Sequence, residues 1–101
     1  MKKRKIPKRL QAVLWSANID KLDLEKDKYY IIHQIFAYGN LDDIKWVIDT
    51  YPNNEILETF VSTPYKDYRK SRFYFIKDQV MNLKDRPINA NLYVKDTPRD
   101  I

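Results

Sequence analysis

The segment YYIIHQIFAYGNLDDIKW, residues 29–46, decides the fold, because two apolar helical patterns meet there at the only glycine of the chain. Before Gly39, apolar side chains recur every three or four residues, which is the spacing of one helix face. Gly39 has no Cβ and suits the left-handed conformation that closes many helices. Asn40 can cap the next helix, with Asp42 and Asp43 near its positive end. The segment predicts two helices joined at a tight corner.

The flanking sequence predicts further short helices. Tight β-hairpin turns favour glycine, and the chain has one glycine in 101 residues, which argues against β-hairpins. The first helix of the pair begins near Asp23, and Pro52 ends the second. We also predict a short helical stretch ending in Trp15, which packs on the core, a helix from Asn53 or Asn54, and a last helix from Ser71. The side chains predicted to face the core are Leu10, Val13, Leu14, Leu24, Ile31, Ile32, Ile35, Phe36, Tyr38, Leu41, Ile44, Val47, Ile48, Tyr51, Ile56, Leu57, Phe60, Val61, Phe73, Ile76, Val80 and Leu83.

We therefore predict an all-α protein, a small bundle of four to five short helices over residues 10–83. A basic N-terminal arm, residues 1–9, precedes it, and an extended or disordered tail, residues 84–101, follows it. Pro87 and Pro98 interrupt this tail, which shows no helical period. Its apolar residues leave two interpretations open, namely that the tail becomes ordered on a partner or that it packs across its own domain.

The net charge of +5 is unevenly distributed. Residues 1–9 hold six basic groups and no acid, residues 10–60 hold four basic groups and nine acids, and residues 61–101 hold nine basic groups and five acids. The arm is either a solvated tail or a segment that binds nucleic-acid phosphate or an acidic partner. Its candidate nucleic-acid-binding residues are Lys2, Lys3, Arg4, Lys5, Lys8 and Arg9. With no cysteine and no apolar run near the roughly 20 residues that span a bilayer, we expect a cytoplasmic protein with no membrane contact.

The sequence offers little support for an enzyme. Phosphate-binding loops need several glycines, and a zinc site needs three or four ligands. His33 is the only histidine, and its neighbour one turn later is Ala37. We expect His33 to be a helix residue at the edge of the core. We also expect no catalytic residue, no cofactor, no metal and no small-molecule ligand.

Two parts of the chain resemble binding surfaces. The corner at Gly39 has the layout of a helix-turn-helix, but its second helix offers Asp42, Asp43 and Asp49 where DNA would require basic or amide side chains. A better surface mixes cations with aromatic rings: Lys66, Arg69, Lys70, Arg72 and Lys77 with Tyr65, Tyr68, Tyr74 and Phe75. This mixture suits a nucleic-acid backbone, an acidic protein groove, or simply a solvated helix face.

Large side chains without an evident core role are the candidate partner-binding residues. We expect Trp46 to be half covered, because it lies about 100° around the helix from the inward Val47. The set is Trp46, Tyr65, Tyr68, Arg69, Arg72, Tyr93 and Val94.

Residues 14–51, LWSANIDKLDLEKDKYYIIHQIFAYGNLDDIKWVIDTY, resemble a family of small bacterial and archaeal proteins of similar length. The family pattern is a tryptophan, a "D-x-x-K-L-D" segment, an apolar helix ending in "YG", then "L-x-D-x-K-W" and "TY". Members are often encoded beside AbiEii-type nucleotidyltransferase toxins. The resemblance implies an antitoxin that neutralises its cognate toxin by direct protein–protein binding. The alternative is a small DNA-binding regulator, for example of its own operon, that uses the basic arm and the surface at residues 66–77.

Overall fold

Four helices form the body of the protein in the computed structural model, which describes residues 6–95. They are α1 (Lys28–Tyr38), α2 (Leu41–Thr50), α3 (Asn53–Ser62) and α4 (Lys70–Tyr74), and α4 continues into a π-helical turn, Phe75–Val80. Short 3-10 turns lie at Lys8–Ala12, Ile19–Lys21 and Ala90–Leu92. No β-strand occurs within residues 6–95, which confirms the predicted all-α class.

Helix α1 is the centre of the bundle and contacts α2, α3 and α4. Every residue from Ile31 to Ala37 is buried, including the polar His33 and Gln34. A helix buried on all sides has no solvent face, so its polar side chains must find partners inside the protein. The helix begins at Lys28, later than predicted, because the Asp23 carboxylate accepts two backbone N–H groups of the preceding turn, at 2.8 and 2.9 Å.

The corner between α1 and α2 forms where predicted, but Gly39 has a different backbone conformation from the predicted one. The Asn40 side chain accepts from the Asp43 N–H at 2.9 Å, and the Asp43 carboxylate accepts from the Asn40 N–H at 3.0 Å, so the predicted cap is present. Gly39 has φ −77° and ψ 166°, so the left-handed prediction is wrong. A Cβ on Gly39 would lie 2.8 Å from both the Ile35 carbonyl oxygen and the Asp43 Cβ. Glycine is therefore needed for close approach.

Helix α2 covers α1 with a narrower stripe than predicted. Ile44, Val47 and Tyr51 are buried, as expected. Leu41 and Ile48 are 70% and 48% exposed, so their assignment to the core is wrong. They lie seven residues apart on one side of α2, and α1 occupies only the neighbouring side.

Residues 84–95, the described part of the predicted tail, lie partly against the helical domain. Tyr93 and Val94 are buried. The Tyr68 N–H donates to the Tyr93 carbonyl oxygen, and the Lys95 N–H donates to the Tyr68 carbonyl oxygen, both at 2.9 Å. The structure thus has this segment packed across its own domain. Of the basic arm, Lys8 and Arg9 lie in the first 3-10 turn, whereas Lys2, Lys3, Arg4 and Lys5 lie outside the described residues.

Helix length also bears on membrane insertion. None of the helices within residues 6–95 combines the length and the apolar character that crossing a bilayer requires.

Candidate interaction surfaces

His33 lies at the centre of the core, and the prediction that it lies at the edge is wrong. Its side chain is 1% exposed, with Nδ1 2.7 Å from the Tyr68 hydroxyl and Nε2 3.1 Å from the Thr59 carbonyl oxygen. A carbonyl oxygen only accepts, so Nε2 carries the proton and Nδ1 accepts from Tyr68. Burial lowers the pKa of His33 to about 4. The imidazole is therefore neutral at pH 7, and both ring nitrogens are used within the fold.

An aromatic cluster surrounds this imidazole. Tyr65 stacks on His33 with ring centroids 5.2 Å apart, and Tyr68, Phe60 and Tyr93 lie within 6.4 Å of it. Tyr93 also donates from its hydroxyl to the Phe60 carbonyl oxygen at 2.5 Å. Burial raises the pKa of the Tyr68 hydroxyl, which donates to His33.

Four of the predicted partner-binding residues make contacts within the fold. Tyr68, Tyr93 and Val94 are buried, so the premise that they lack a core role is wrong. Arg72 donates from Nη1 to two carbonyl oxygens at the end of α1, those of Phe36 at 2.8 Å and Gly39 at 2.9 Å. Helix ends leave such carbonyls unpaired, so Arg72 closes α1.

Trp46, Tyr65 and Arg69 keep part of their surface in solvent. Trp46 is half-buried on α2, as expected, and Arg69 is exposed immediately before α4. The Tyr65 hydroxyl donates to Gln34 Oε1 at 2.6 Å, and burial raises the pKa of Tyr65 to about 12.

The most prominent exposed aromatic side chain is Trp15, which we predicted to pack on the core. It is 56% exposed and stands edge-on to Tyr38, with ring centroids 4.7 Å apart. Tyr38 is half-buried and lies two turns after Tyr30 on the same side of α1. We call Trp15, Tyr30, Tyr38 and Tyr65 the aromatic surface. The spacing of Tyr30, Gln34 and Tyr38 at every fourth residue was the sequence signal that could have revealed it.

The buried Gln34 side chain links two segments of the aromatic surface to α1. Its Nε2 donates to the Val13 carbonyl oxygen at 2.9 Å, while its Oε1 holds Tyr65. The Ser16 N–H donates to the Tyr30 hydroxyl at 3.2 Å. These bonds hold the segment that carries Trp15 against α1, so the positions of the rings are fixed within the folded protein.

The basic aromatic surface predicted for residues 66–77 is reduced by the fold. Arg72 is bound to the end of α1 and does not contribute to this surface. Lys77 does not contribute either, since it is buried and its Nζ lies 2.9 Å from the Asp78 carboxylate. Lys66, Arg69, Lys70 and Tyr74 remain exposed, and we call them the cationic strip.

Neither surface contains the ligands of a metal centre. Within residues 6–95, no group of three or more histidine, cysteine or carboxylate side chains is placed to hold a metal ion. Of the basic arm, Arg9 is half exposed and lies 3.6 Å from the Asp43 carboxylate.

Comparison with known proteins places the chain in a family. The model of a family of unknown function, DUF6922, matches residues 10–60, about half of the chain. No curated protein and no solved structure matches it. The matched part includes Trp15, Tyr30, Tyr38 and the corner at Gly39, whereas Tyr65 and the cationic strip lie beyond it. The chain therefore belongs to the family of unknown function DUF6922.

Proposed function

We propose that this protein is an antitoxin that neutralises a cognate nucleotidyltransferase toxin by binding it directly. The identity of the partner rests on the resemblance of residues 14–51 to proteins encoded beside such toxins. One structural observation supports the binding step, namely the aromatic surface, at whose edge Trp15 is 56% exposed.

This surface has the chemistry of a protein-binding centre. Tryptophan and tyrosine dominate the residues that contribute most to protein interfaces. Trp15 already rests against Tyr38, and hydrogen bonds hold Tyr30 and Tyr65. Because these side chains are ordered in the unbound protein, a partner that covers them loses little further side-chain entropy.

The charge around the start of α1 supports the same partner class. Burial first, and then the nearby carboxylates of Glu25, Asp23, Glu55 and Asp27, raise the pKa of the Tyr51 hydroxyl, so these acids lie around one end of the bundle. Lys28 pairs with Glu55 at 3.3 Å, which leaves the other three carboxylates to give this end its negative charge. Nucleotidyltransferase clefts bind phosphates and are basic where they do so. Complementary charge would speed the encounter of such a cleft with this acidic end.

Co-expression with the neighbouring nucleotidyltransferase gene tests the proposal. We expect the two chains to co-elute in gel filtration and the toxin's nucleotide transfer to stop when the purified proteins are mixed. Separate elution, or transfer that continues at full rate in the mixture, would overturn the proposal.

Trp15→Ala tests the aromatic surface itself. An interface residue of this kind contributes about 2 kcal/mol or more, so we expect the dissociation constant to rise roughly 30-fold. Tyr74→Ala is the matched control, since Tyr74 is 40% exposed on α4 and belongs neither to the aromatic surface nor to the acidic end at the start of α1. An equal loss of affinity for the toxin in both variants would show that the aromatic surface is not the binding site.

The alternative, a DNA-binding regulator, has less support from the described residues. Arg72 and Lys77 are engaged within the fold, and Arg9 lies beside the Asp43 carboxylate. A steep salt dependence of binding to an operator duplex would favour it.

A further inference from the structure

The cationic strip is an exposed feature that the antitoxin proposal does not use. Lys66, Arg69 and Lys70 are exposed, and none of them forms an ion pair with a carboxylate of the described residues. The acid between them, Asp67, lies 3.6 Å from Lys95 Nζ, so its charge is balanced from outside the strip. The strip therefore presents three positive charges to solvent.

These charges lie close together. Lys66 and Lys70 are four positions apart in the chain, and a fully extended chain advances at most about 3.6 Å per residue. Their Cα atoms are thus no more than about 14 Å apart. The side chains are long and exposed, so they can reach neighbouring negative groups on one ligand strand.

Tyr74 adds an aromatic face to the strip. It follows Lys70 by one helical turn and so lies on the same side of the helix. Tyr74 is 40% exposed, and the Phe73 ring packs edge-on against its ring, with centroids 4.9 Å apart. An exposed ring next to cations is the arrangement on which bases of an unpaired strand stack while their phosphates meet lysine and arginine.

We infer that the cationic strip binds single-stranded nucleic acid, with Lys66, Arg69 and Lys70 contacting phosphates and Tyr74 stacking on a base. An acidic peptide would use the cations but has no base to stack on the ring. A duplex buries the faces of its bases in its own stack. The inference is independent of the antitoxin proposal and goes beyond it.

Fluorescence anisotropy of a labelled oligouridylate of about 12 nucleotides tests the inference, a length within the usual site size of about 4–16 nucleotides. Three phosphate contacts on a single strand predict that log K falls with log salt with a slope of roughly −2. We expect Arg69→Glu/Lys70→Glu to weaken binding by about tenfold or more. The matched control is Lys21→Glu/Lys26→Glu, which changes the net charge equally at exposed positions in the acidic part of the chain, and it should change affinity less than about twofold.

Stacking is tested separately with Tyr74→Ala against Tyr29→Ala. Stacking on an aromatic ring contributes about 1–3 kcal/mol per base, so Tyr74→Ala should weaken binding at least about fivefold and Tyr29→Ala should not. An oligothymidylate should bind similarly, because phosphates and base faces are common to RNA and DNA.

Several results would overturn the inference. Equal losses in the two charge-reversal variants would show a response to net charge alone. If polyglutamate binds as tightly as the oligouridylate, the strip is a site for an acidic protein. If a DNA duplex binds more tightly than the oligouridylate and its affinity is unchanged by Tyr74→Ala, the strip is a site for double-stranded DNA. Circular dichroism checks folding, which glutamates at the start of α4 should preserve. If the double variant fails to fold, Lys66→Glu in the preceding loop repeats the test.

Discussion

Lowering the pH from 7 to 5 should destabilise the protein by roughly 2 kcal/mol through His33 alone. Burial lowers the pKa of His33 in the folded protein to about 4, against an ordinary value of 6.5. The unfolded chain therefore binds a proton at a pH where the folded protein does not. Stability is complete above pH 6.5, declines as the pH falls below that value, and levels off below about pH 4, where the total loss is about 3 kcal/mol.

The structure explains why His33 resists the proton. Its side chain is 1% exposed, so water cannot solvate an imidazolium. Protonation would turn Nδ1 into a donor, and it would then face the Tyr68 hydroxyl that now donates to it. The titratable side chains that face the ring are Tyr65, Tyr68 and Tyr93, and neutral phenols offer no charge to offset the imidazolium.

Urea unfolding followed by far-UV circular dichroism at pH 7, 6 and 5 measures this loss. Glutamine is the matched replacement, because His33→Gln keeps one donor and one acceptor but does not titrate. Few carboxylates are protonated above pH 5, and His33 is the only histidine, so the difference between the two proteins isolates its contribution. Equal losses of the free energy of unfolding in wild type and His33→Gln between pH 7 and pH 5 would contradict this role of His33.

Three substitutions test other contacts by urea unfolding. Arg72→Leu leaves the carbonyl oxygens of Phe36 and Gly39 without their donor and should lower the free energy of unfolding by about 1–3 kcal/mol. Gly39→Ala places a Cβ 2.8 Å from the Asp43 Cβ, and the forced shift at the corner should also cost about 1–3 kcal/mol. Thr59→Val should leave the protein equally stable or up to about 1 kcal/mol more stable, because the buried Thr59 hydroxyl has no hydrogen-bond partner among the described residues.

Two control variants make these outcomes specific. Arg69→Leu removes an exposed arginine next to α4 and should change stability by no more than about 0.5 kcal/mol, so a similar loss in both arginine variants would contradict the role of Arg72. The Thr63 hydroxyl donates to the Thr59 carbonyl oxygen at 2.5 Å. Thr63→Val should therefore destabilise the protein, unlike Thr59→Val, and the reverse order would refute the assignment.

Short-range signals in the sequence predicted the framework correctly. The apolar spacing before Gly39 identified α1 and its buried residues Ile31, Ile32, Ile35 and Phe36. The side chain of Asn40 identified the start of α2, because a cap forms between residues only three positions apart. Such features depend on neighbours in the chain, and a linear pattern displays them.

The candidate surfaces were predicted only in part. Trp15 has apolar spacing like its neighbours, but the short stretch that carries it leaves this residue 56% exposed. Arg72 looked like a surface cation until α4 brought it to carbonyl groups 33 and 36 residues earlier in the chain. Whether Arg72 is available at the surface therefore depended on the packing of α4 beside the end of α1.

The sequence by itself determined that the chain is helical, where its central corner lies and which residues line most of the core, since spacing and caps act over a few residues. The tertiary structure alone decided the state of His33, the membership of the aromatic surface, and which of the predicted cations remain in the cationic strip. The His33 to Tyr68 hydrogen bond joins residues 35 positions apart, and the aromatic surface combines residues from three separate segments. Contacts over such separations depend on how the helices pack, and no local pattern encodes that arrangement directly.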